Sequence, residues 1–195
     1  MINTIKKISC FIFVLMCLIS CQRSQDKIQT QIVRLESEMS TKYSMEKIDT
    51  LLVLYQQYVA EFPKDSMVAE YLYRSGKLNM ILRKGTEALS DFTNLIDRFP
   101  LNEHLPEVYY YKAFIYEDIL YDIMAARTAY YDFINRYPEH KLVQDAKLSI
   151  QYLGKSPEEI VASFEQRAST EKTVIPEEEE EKLHSQEKEP SLNKE

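Results

Sequence analysis

The sequence predicts an all-α protein, an α-solenoid of consecutive helical hairpins, and three observations support this fold class. The 195-residue chain has only 3 glycines and few alternating apolar and polar stretches, which disfavours β-strands. Apolar residues recur instead at spacings of three and four, the period of an α-helix. A pair formed by an aromatic residue and a proline also recurs along the chain, as Phe62-Pro63, Phe99-Pro100 and Tyr137-Pro138.

The N-terminal segment has the pattern of a secretory signal peptide. Lys6 and Lys7 form a basic start, and residues 8–19 are predominantly apolar. This apolar run is shorter than the ~20 residues that a membrane-spanning helix needs. A basic start followed by a short apolar run is typical of a signal peptide. Residues 1–20 are therefore predicted to be removed from the mature protein.

The apolar run ends in Leu-Ile-Ser-Cys at residues 18–21, which resembles the lipobox of bacterial lipoprotein precursors. The resemblance implies that a peptidase cuts before Cys21 and that this cysteine carries a diacylglycerol thioether. Two or three acyl chains, such as palmitate, would anchor the protein firmly. Cys10 and Cys17 lie inside the signal, so the mature chain keeps no pair of cysteines for a disulfide. A plain signal peptide with a chance cysteine and an uncleaved anchor are the alternatives.

A short polar tether over residues 21–26 is predicted to precede a helical repeat domain over residues 27–168. Each of the three aromatic–proline pairs ends a helix, because proline lacks an N–H donor and disfavours a helical residue before it. The predicted helices are one with an apolar seam of Ile28, Ile32, Leu35 and Met39, then Lys47–Phe62, Met67–Arg83, Glu87–Phe99, Pro106–Tyr121, Met124–Tyr137, Lys141–Leu153, and a last helix that ends near Ala168.

Two local signals predict where helices end and begin. Gly85 is predicted to cap a helix in the left-handed conformation, with Thr86 as the N-cap of the following helix. Ser156, Pro157 and Glu159 have the spacing of a capping box with proline in the first helical position. The last helix is therefore predicted to start directly after Ser156.

The segments before the three prolines match one another along one helix face. Positions one, four, five, eight and twelve residues before each proline are apolar or small, and such offsets share one side of a helix. The unit that ends at Pro100 matches best, with a large residue, a glycine, an alanine and an aromatic residue at Leu72, Gly76, Ala88 and Phe92. The next unit is looser and has Phe114 where a glycine is expected. Paired helices with this period resemble tetratricopeptide repeats.

The lipobox and the repeats together resemble the outer-membrane assembly lipoprotein family, which includes the repeat-bearing lipoprotein of the β-barrel assembly machinery. The resemblance covers roughly Leu51 to Glu165. It implies a lipid-anchored protein of the outer membrane that faces the periplasm and binds envelope proteins. Gln22 follows Cys21, at a position where aspartate is associated with inner-membrane retention, and this also favours the outer membrane.

The resemblance implies a partner-binding surface as well, because the first helix of each repeat lines the inner side of such arrays. The corresponding positions in this chain are Tyr73, Lys77, Met80, Tyr111, Ile115 and Asp118. Tyrosine suits an interface because its rigid ring brings a large contact area while its hydroxyl stays hydrated. The alternative interpretation is that these tyrosines fill the space between hairpins.

Composition and spacing argue against binding of nucleic acid, binding of metal, and catalysis. The formal net charge is -7, and no basic stretch offers a face for nucleic acid. His104, His140 and His184 have no metal-ligand partner at helical spacing, and no glycine-rich phosphate loop occurs. The sequence therefore predicts that the protein is not an enzyme and binds neither a metal nor a cofactor.

We therefore expect a membrane-anchored lipoprotein scaffold that binds partners in a bacterial envelope complex, with outer-membrane protein assembly as a candidate process. The alternative is a periplasmic or surface protein that captures a peptide or a glycan in a concave groove. Residues 169–195 include the run Glu177–Glu181 and are predicted to form an acidic disordered tail. An acidic docking motif is the second interpretation of this tail.

Overall fold

The computed structural model describes residues 24–41 and 44–172, with side chains up to Gln166. All regular elements in this part of the chain are helices, which confirms the predicted fold class. The signal segment, Cys21 and most of the predicted tail lie outside the described residues. The helices are α1 (residues 24–41), α2 (Met45–Glu61), α3 (Met67–Ile81), α4 (Gly85–Arg98), α5 (Leu105–Phe114), a π-helix (Ile115–Ile119), α6 (Ile123–Arg136), α7 (Val143–Tyr152) and α8 (Pro157–Lys172).

The chain divides into two compact units, Met1–Ile150 and Gln151–Glu195. The described part of the first unit contains three helical hairpins, in which α1 packs on α2, α3 on α4, and α5 on α6. The first pair is antiparallel, because contacts near both ends join opposite ends of the two helices. Gln29 Nε2 donates to the Tyr58 hydroxyl at 2.8 Å near one end, and Lys47 pairs with Glu38 at 2.9 Å near the other.

The second and third hairpins repeat the same helix boundaries with a shift of 38 residues. Met67 at the start of α3 corresponds to Leu105 at the start of α5. The end of α3 at Ile81 corresponds in the same way to the end of the π-helix at Ile119. The turn inside each hairpin also repeats, because Arg83 (φ 57°) and Tyr121 (φ 56°) both adopt the left-handed conformation. The periodicity predicted from the prolines therefore extends to the backbone of the turns.

The turn between α3 and α4 corrects the prediction for Gly85 and Thr86. The left-handed residue is Arg83, and α4 already begins at Gly85. Gly85 lies against the third hairpin, because a Cβ at this position would lie 2.8 Å from Leu120 Cδ2 and 2.9 Å from Ile119 Cγ2, and these side-chain ends would have to move for a larger residue. The sequence predicted Gly85 as a left-handed helix cap, whereas in the structure this glycine lies where the third hairpin approaches closely.

The helix predicted over Pro106–Tyr121 is interrupted, because α5 gives way to the π-helix after Phe114. Phe114 stands where the second hairpin has Gly76. A Cβ on Gly76 would lie 2.4 Å from the ring of Phe92, so glycine lets α3 and α4 pack closely. The third hairpin has a bulky residue at this position, and its helix widens at the next residue.

A recurring turn connects each hairpin to the next helix. The aromatic residue before each proline donates its N–H to the carbonyl four residues earlier, at 2.9 to 3.0 Å. Two residues after each proline, a polar side chain accepts the N–H of the residue two positions further on, as Asp65 from Met67 (2.8 Å), Asn102 from His104 (2.9 Å) and His140 from Leu142 (3.3 Å). Such side-chain turns start the following helix.

The core of the first unit is rich in tyrosines whose hydroxyls have partners. Tyr58 and Tyr71 are fully buried, and their rings meet edge to face with centroids 4.8 Å apart. Gln25 and Gln29 on α1 each donate to the Tyr58 hydroxyl at 2.8 Å. Among the described residues, no buried side-chain nitrogen or oxygen lacks a hydrogen-bond partner. Burying tyrosine here therefore carries no unsatisfied polar group.

In the second unit, the predicted capping box at the start of α8 is confirmed. Ser156 N–H donates to Glu159 Oε2 at 2.7 Å, and Glu159 N–H donates to Ser156 Oγ at 3.2 Å. These reciprocal bonds satisfy backbone donors that have no partner within the helix. The helix continues to Lys172, beyond the predicted end near Ala168.

Candidate functional site

The first helices of the three hairpins, α1, α3 and α5, share a connected polar surface that we call the first-helix face. Residues three and four apart on α3 carry its centre, because such residues lie on one side of a helix. It consists of Glu36 from α1, of Glu70, Tyr73, Arg74 and Lys77 from α3, of Glu107 from α5, and of His104 in the turn before α5.

Arg74 on α3 pairs with two carboxylates, Glu36 on α1 and Glu70 on its own helix. Its NH1 lies 2.6 Å from Glu36 Oε1, and its Nε lies 2.5 Å from Glu70 Oε1. Burial disfavours the charged guanidinium, but the two carboxylates outweigh this effect and raise the pKa of Arg74. The Tyr55 hydroxyl donates to the same oxygen of Glu36 at 2.5 Å. Arg74 therefore stays charged and fixes the relative position of the two helices.

Glu70 extends these contacts to the turn before α5. Its Oε2 lies 3.1 Å from His104 Nε2. Burial raises the pKa of Glu70, but Arg74 and His104 outweigh burial, and the pKa falls below its ordinary value of 4.5. The imidazole of His104 also stacks on the Tyr73 ring, with centroids 3.9 Å apart and an interplanar angle of 1°. Two contacts thus hold this turn against α3.

Tyr73 lies at the centre of the face, although its side chain is only 6% exposed. Its hydroxyl donates to Glu107 Oε2 at 2.5 Å, and Lys77 Nζ lies 5.0 Å from its ring centroid. Burial and then the bond to Glu107 raise the pKa of Tyr73, so its phenol remains a protonated donor. Lys141 Nζ approaches Glu107 from the other side, at 3.6 Å.

A pocket of about 330 Å³ opens on the first-helix face among α1, α2 and α3. Ile81, which is 59% exposed, lies at its edge. An apolar pocket with a charged rim suits an apolar side chain whose polar neighbours contact the rim. The apolar lining includes Met39, Leu51, Leu78 and Ile81, and the charged lining is Glu36, Glu70, Arg74 and Lys77.

The structure brings two of the six predicted partner-binding residues together at this pocket, Tyr73 and Lys77. Met80 and Tyr111 are half-buried and pack against the hydrophobic core of the first unit. The ring of Tyr111 lies 6.0 Å from that of Phe92. Met80 and Tyr111 therefore contribute to packing between the hairpins.

Ile115 and Asp118 do not lie at the pocket. Ile115 is fully buried, which corrects its predicted place on an accessible surface. The prediction for Ile115 assumes a continuous α-helix over Pro106–Tyr121, whereas Ile115 begins the π-helix and its side chain packs in the core. Asp118 Oδ2 pairs with Arg83 Nη1 at 2.7 Å and so connects the π-helix to the turn between α3 and α4.

Five residues of the first-helix face were not predicted, namely Glu36, Glu70, Arg74, His104 and Glu107. His104 has no partner at helical spacing because its partner lies about one repeat earlier in the sequence. Glu70 and His104 are 34 residues apart, as are Tyr73 and Glu107. Complementary polar groups separated by about one repeat are the sequence signal that could have identified these contacts.

A larger pocket of about 590 Å³ lies between α5 and α6. Its lining includes the half-buried Lys112, and burial lowers the pKa of this amine although Asp132 opposes the effect. Both lining carboxylates already bind groups of the protein. Asp122 accepts the N–H of Ala125 at 2.9 Å, and Asp132 pairs with Arg136 at 2.7 Å. The exposed apolar residue of this pocket is Met124, which is 72% exposed, and its lining contains one cation, Lys112, where the pocket on the first-helix face has two.

The described residues offer neither a metal site nor a membrane-spanning helix. No group of three or more metal-ligating side chains among them could hold a metal ion. None of the helices described combines the length and the hydropathy that crossing a bilayer requires.

Comparison with protein-family models finds no matching family, and comparison with curated proteins finds no match. The class of the protein is therefore defined by its own fold, an all-α solenoid of consecutive helical hairpins.

Proposed function

We propose that the protein is a membrane-anchored scaffold that binds a partner protein of a bacterial envelope complex through the first-helix face. The observation that carries this proposal is the pocket of about 330 Å³ on that face. There an exposed apolar residue, Ile81, lies beside the cations Arg74 and Lys77. Apolar anchors inside a polar rim are typical of protein–protein interfaces.

The proposed anchor is acylated Cys21, which lies outside the described residues. Its support is the short apolar run before it and the resemblance to the lipobox. The same resemblance favours a periplasm-facing position at the outer membrane, and outer-membrane protein assembly is the process that it suggests. Two or three acyl chains on one residue would hold the protein at the membrane firmly.

A protein segment fits this face better than a glycan does. Sugar rings commonly stack on open aromatic side chains, but Tyr73 is 6% exposed and His104 covers its ring. The pocket volume suits one or two side chains, and its rim offers charges of both signs to a polypeptide backbone. Capture of a free peptide remains the competing function at the same pocket.

Co-purification after extraction in mild detergent tests the scaffold. A tagged wild-type protein should recover one envelope protein in fixed stoichiometry. Ile81→Glu introduces a charge at an exposed edge of the pocket, so it should abolish this recovery while the melting temperature stays unchanged. Val53→Glu, at a position of α2 that is 62% exposed, is the matched control and should retain the partner. A wild-type protein recovered alone favours peptide capture, and equal recovery with both variants contradicts the proposed face.

Intact-mass analysis of the membrane fraction tests the anchor separately. The wild-type product should begin at Cys21 and carry the mass of its acyl chains. Cys21→Ala removes the acylated thiol, so the uncut precursor should accumulate. A wild-type product without acyl chains contradicts the proposed anchor.

A further inference from the structure

We propose that the turn carrying Leu101 contacts the phospholipid bilayer, as a shallow attachment point beside the acylated cysteine. This inference rests on the proposed anchoring at Cys21. Leu101 is 97% exposed, more than any other large apolar residue among those described. An apolar side chain in this position gains nothing from water, but it gains free energy when a lipid surface covers it.

The recurring turn itself does not require a leucine at this position. Leu101 follows Pro100, and the residues that follow the other two prolines of the turns are Lys64 and Glu139. The turn is closed by a backbone hydrogen bond from Asn102 N–H to the Phe99 carbonyl at 3.0 Å. The side chain of Leu101 takes no part in this bond. A charged residue would therefore serve the turn equally well, and the geometry of the turn does not account for the leucine.

A series of direct contacts places this turn at the same end of the hairpins as the start of α1. Gln25, in the first turn of α1, donates to Asp65 Oδ2 at 2.7 Å. Asp65 belongs to the preceding proline turn, whose Pro63 carbonyl accepts from Arg98 NH2 at 2.6 Å. Leu101 comes three residues after Arg98. The chain therefore enters α1 beside the turns of Pro63 and Pro100.

The tether between the anchor and α1 is shorter than the predicted residues 21–26, because α1 already includes residues 24–26. Only Gln22 and Arg23 separate Cys21 from the first described residue of α1, Ser24. Three residue steps span at most about 11 Å even when fully extended. The headgroup layer on each side of a bilayer is itself about 5–8 Å thick. An acylated Cys21 therefore holds the end of the hairpins that contains Leu101 close to the headgroups.

Charge at this end does not select a particular lipid. Lys27 and Lys64 are exposed there, but so are Asp26 and Glu103. The attraction is therefore apolar, and a neutral phosphatidylcholine surface is a sufficient partner.

Depth-dependent fluorescence quenching tests this contact in the mature acylated protein, which begins at Cys21, on phosphatidylcholine vesicles with brominated acyl chains. The acylated Cys21 has no free thiol, so Lys64→Cys provides a single labelling site in the turn of Pro63, at the same end of the hairpins as Leu101. The label at position 64 should be quenched several-fold more than a label at Met124→Cys. Met124 is 72% exposed. It lies at the opposite end of the third hairpin from Leu101, about 20 Å away along α5 and the π-helix. Adding Leu101→Asp should reduce quenching at position 64 towards the level at position 124.

Intact mass measured before reconstitution distinguishes failure of the contact from failure of the anchor. If the protein is acylated and bound to vesicles but Leu101→Asp leaves quenching at position 64 unchanged, the contact is refuted while the anchor stands. If the protein carries no acyl chain, both proposals fail. Leu101→Asp should not change the melting temperature, because the side chain it replaces is almost fully exposed.

Discussion

Individual residues determine how closely the helices of a hairpin can approach. Gly76 on α3 faces the ring of Phe92 on α4, and a Cβ on Gly76 would lie 2.4 Å from that ring. Phe92 is fully buried and stacks on Tyr111 of the next hairpin, with ring centroids 6.0 Å apart. The ring therefore has little freedom to move. A single missing methyl group thus sets the spacing of two helices and affects a third.

Gly76→Ala should lower the free energy of unfolding by about 1–3 kcal/mol, because the added methyl overpacks the contact with Phe92. Helix propensity by itself would make alanine about 1 kcal/mol more favourable than glycine at this position. A loss of stability therefore indicates overpacking, and a gain indicates that helix propensity dominates. Urea denaturation measures the difference. Ser90→Ala, at an exposed position of α4, is the control and should change stability by no more than about 0.5 kcal/mol. A neutral or stabilising Gly76→Ala contradicts the packing argument.

Glu107 gives the first-helix face a defined pH dependence. The hydrogen bond from Tyr73 outweighs burial and lowers the pKa of Glu107 below its ordinary value of 4.5. A carboxylate whose pKa is lower in the folded state stabilises the protein above its unfolded pKa, and this stabilisation is lost as the pH falls through the folded pKa. The contribution of Glu107 is therefore present at neutral pH and lost below about pH 4.5.

Glu107→Gln should be less stable than the wild type at pH 7, and the two proteins should converge as the pH falls below about 4.5. Urea denaturation over a pH series measures the difference. Glu103→Gln, at an exposed position of the neighbouring turn, should follow the wild type throughout. A difference for Glu107→Gln that is constant from acid to neutral pH shows that Glu107 acts through packing and not through its charge.

At the scale of elements, the existence and order of the helices followed from the sequence, while several boundaries did not. Each aromatic–proline pair was a local signal and ended a helix as predicted. The prediction of a left-handed cap at Gly85 was wrong. This glycine lies instead against Leu120, which is distant in the sequence, so no local pattern reveals the contact. The π-helix after Phe114 was missed because hydrophobic periodicity does not distinguish it from an α-helix.

The capping box of α8 predicts a local effect in the second unit. Ser156→Ala removes the acceptor of the Glu159 N–H and should destabilise the start of the helix by about 0.5–2 kcal/mol. Amide hydrogen exchange in the first turn of α8 should accelerate accordingly. Ser156→Thr keeps the hydroxyl and should exchange nearly as slowly as the wild type. Equal acceleration in both variants would show that the hydroxyl does not cap this helix.

At the scale of the whole molecule, the sequence predicted an interaction surface but not its contacts. Tyr73 and Lys77 were identified from the repeat pattern, and both line the pocket. The contacts of Arg74 with Glu36 and of His104 with Glu70 were not predicted, because these residues become neighbours only when successive hairpins pack together. The repeat pattern therefore reveals which helix lines the pocket, whereas the charged contacts around the pocket depend on how the repeats pack together.

Photo-cross-linking in intact cells tests most directly whether the first-helix face binds a partner. A photoreactive amino acid at Ile81, on the edge of the pocket, should form one adduct of defined mass with an envelope protein. The same amino acid at Val53, which is similarly exposed on α2, should form none. Adduct formation at position 81 alone is the predicted result. Identical adducts from both positions, or none from position 81, would contradict a partner-binding role for this face.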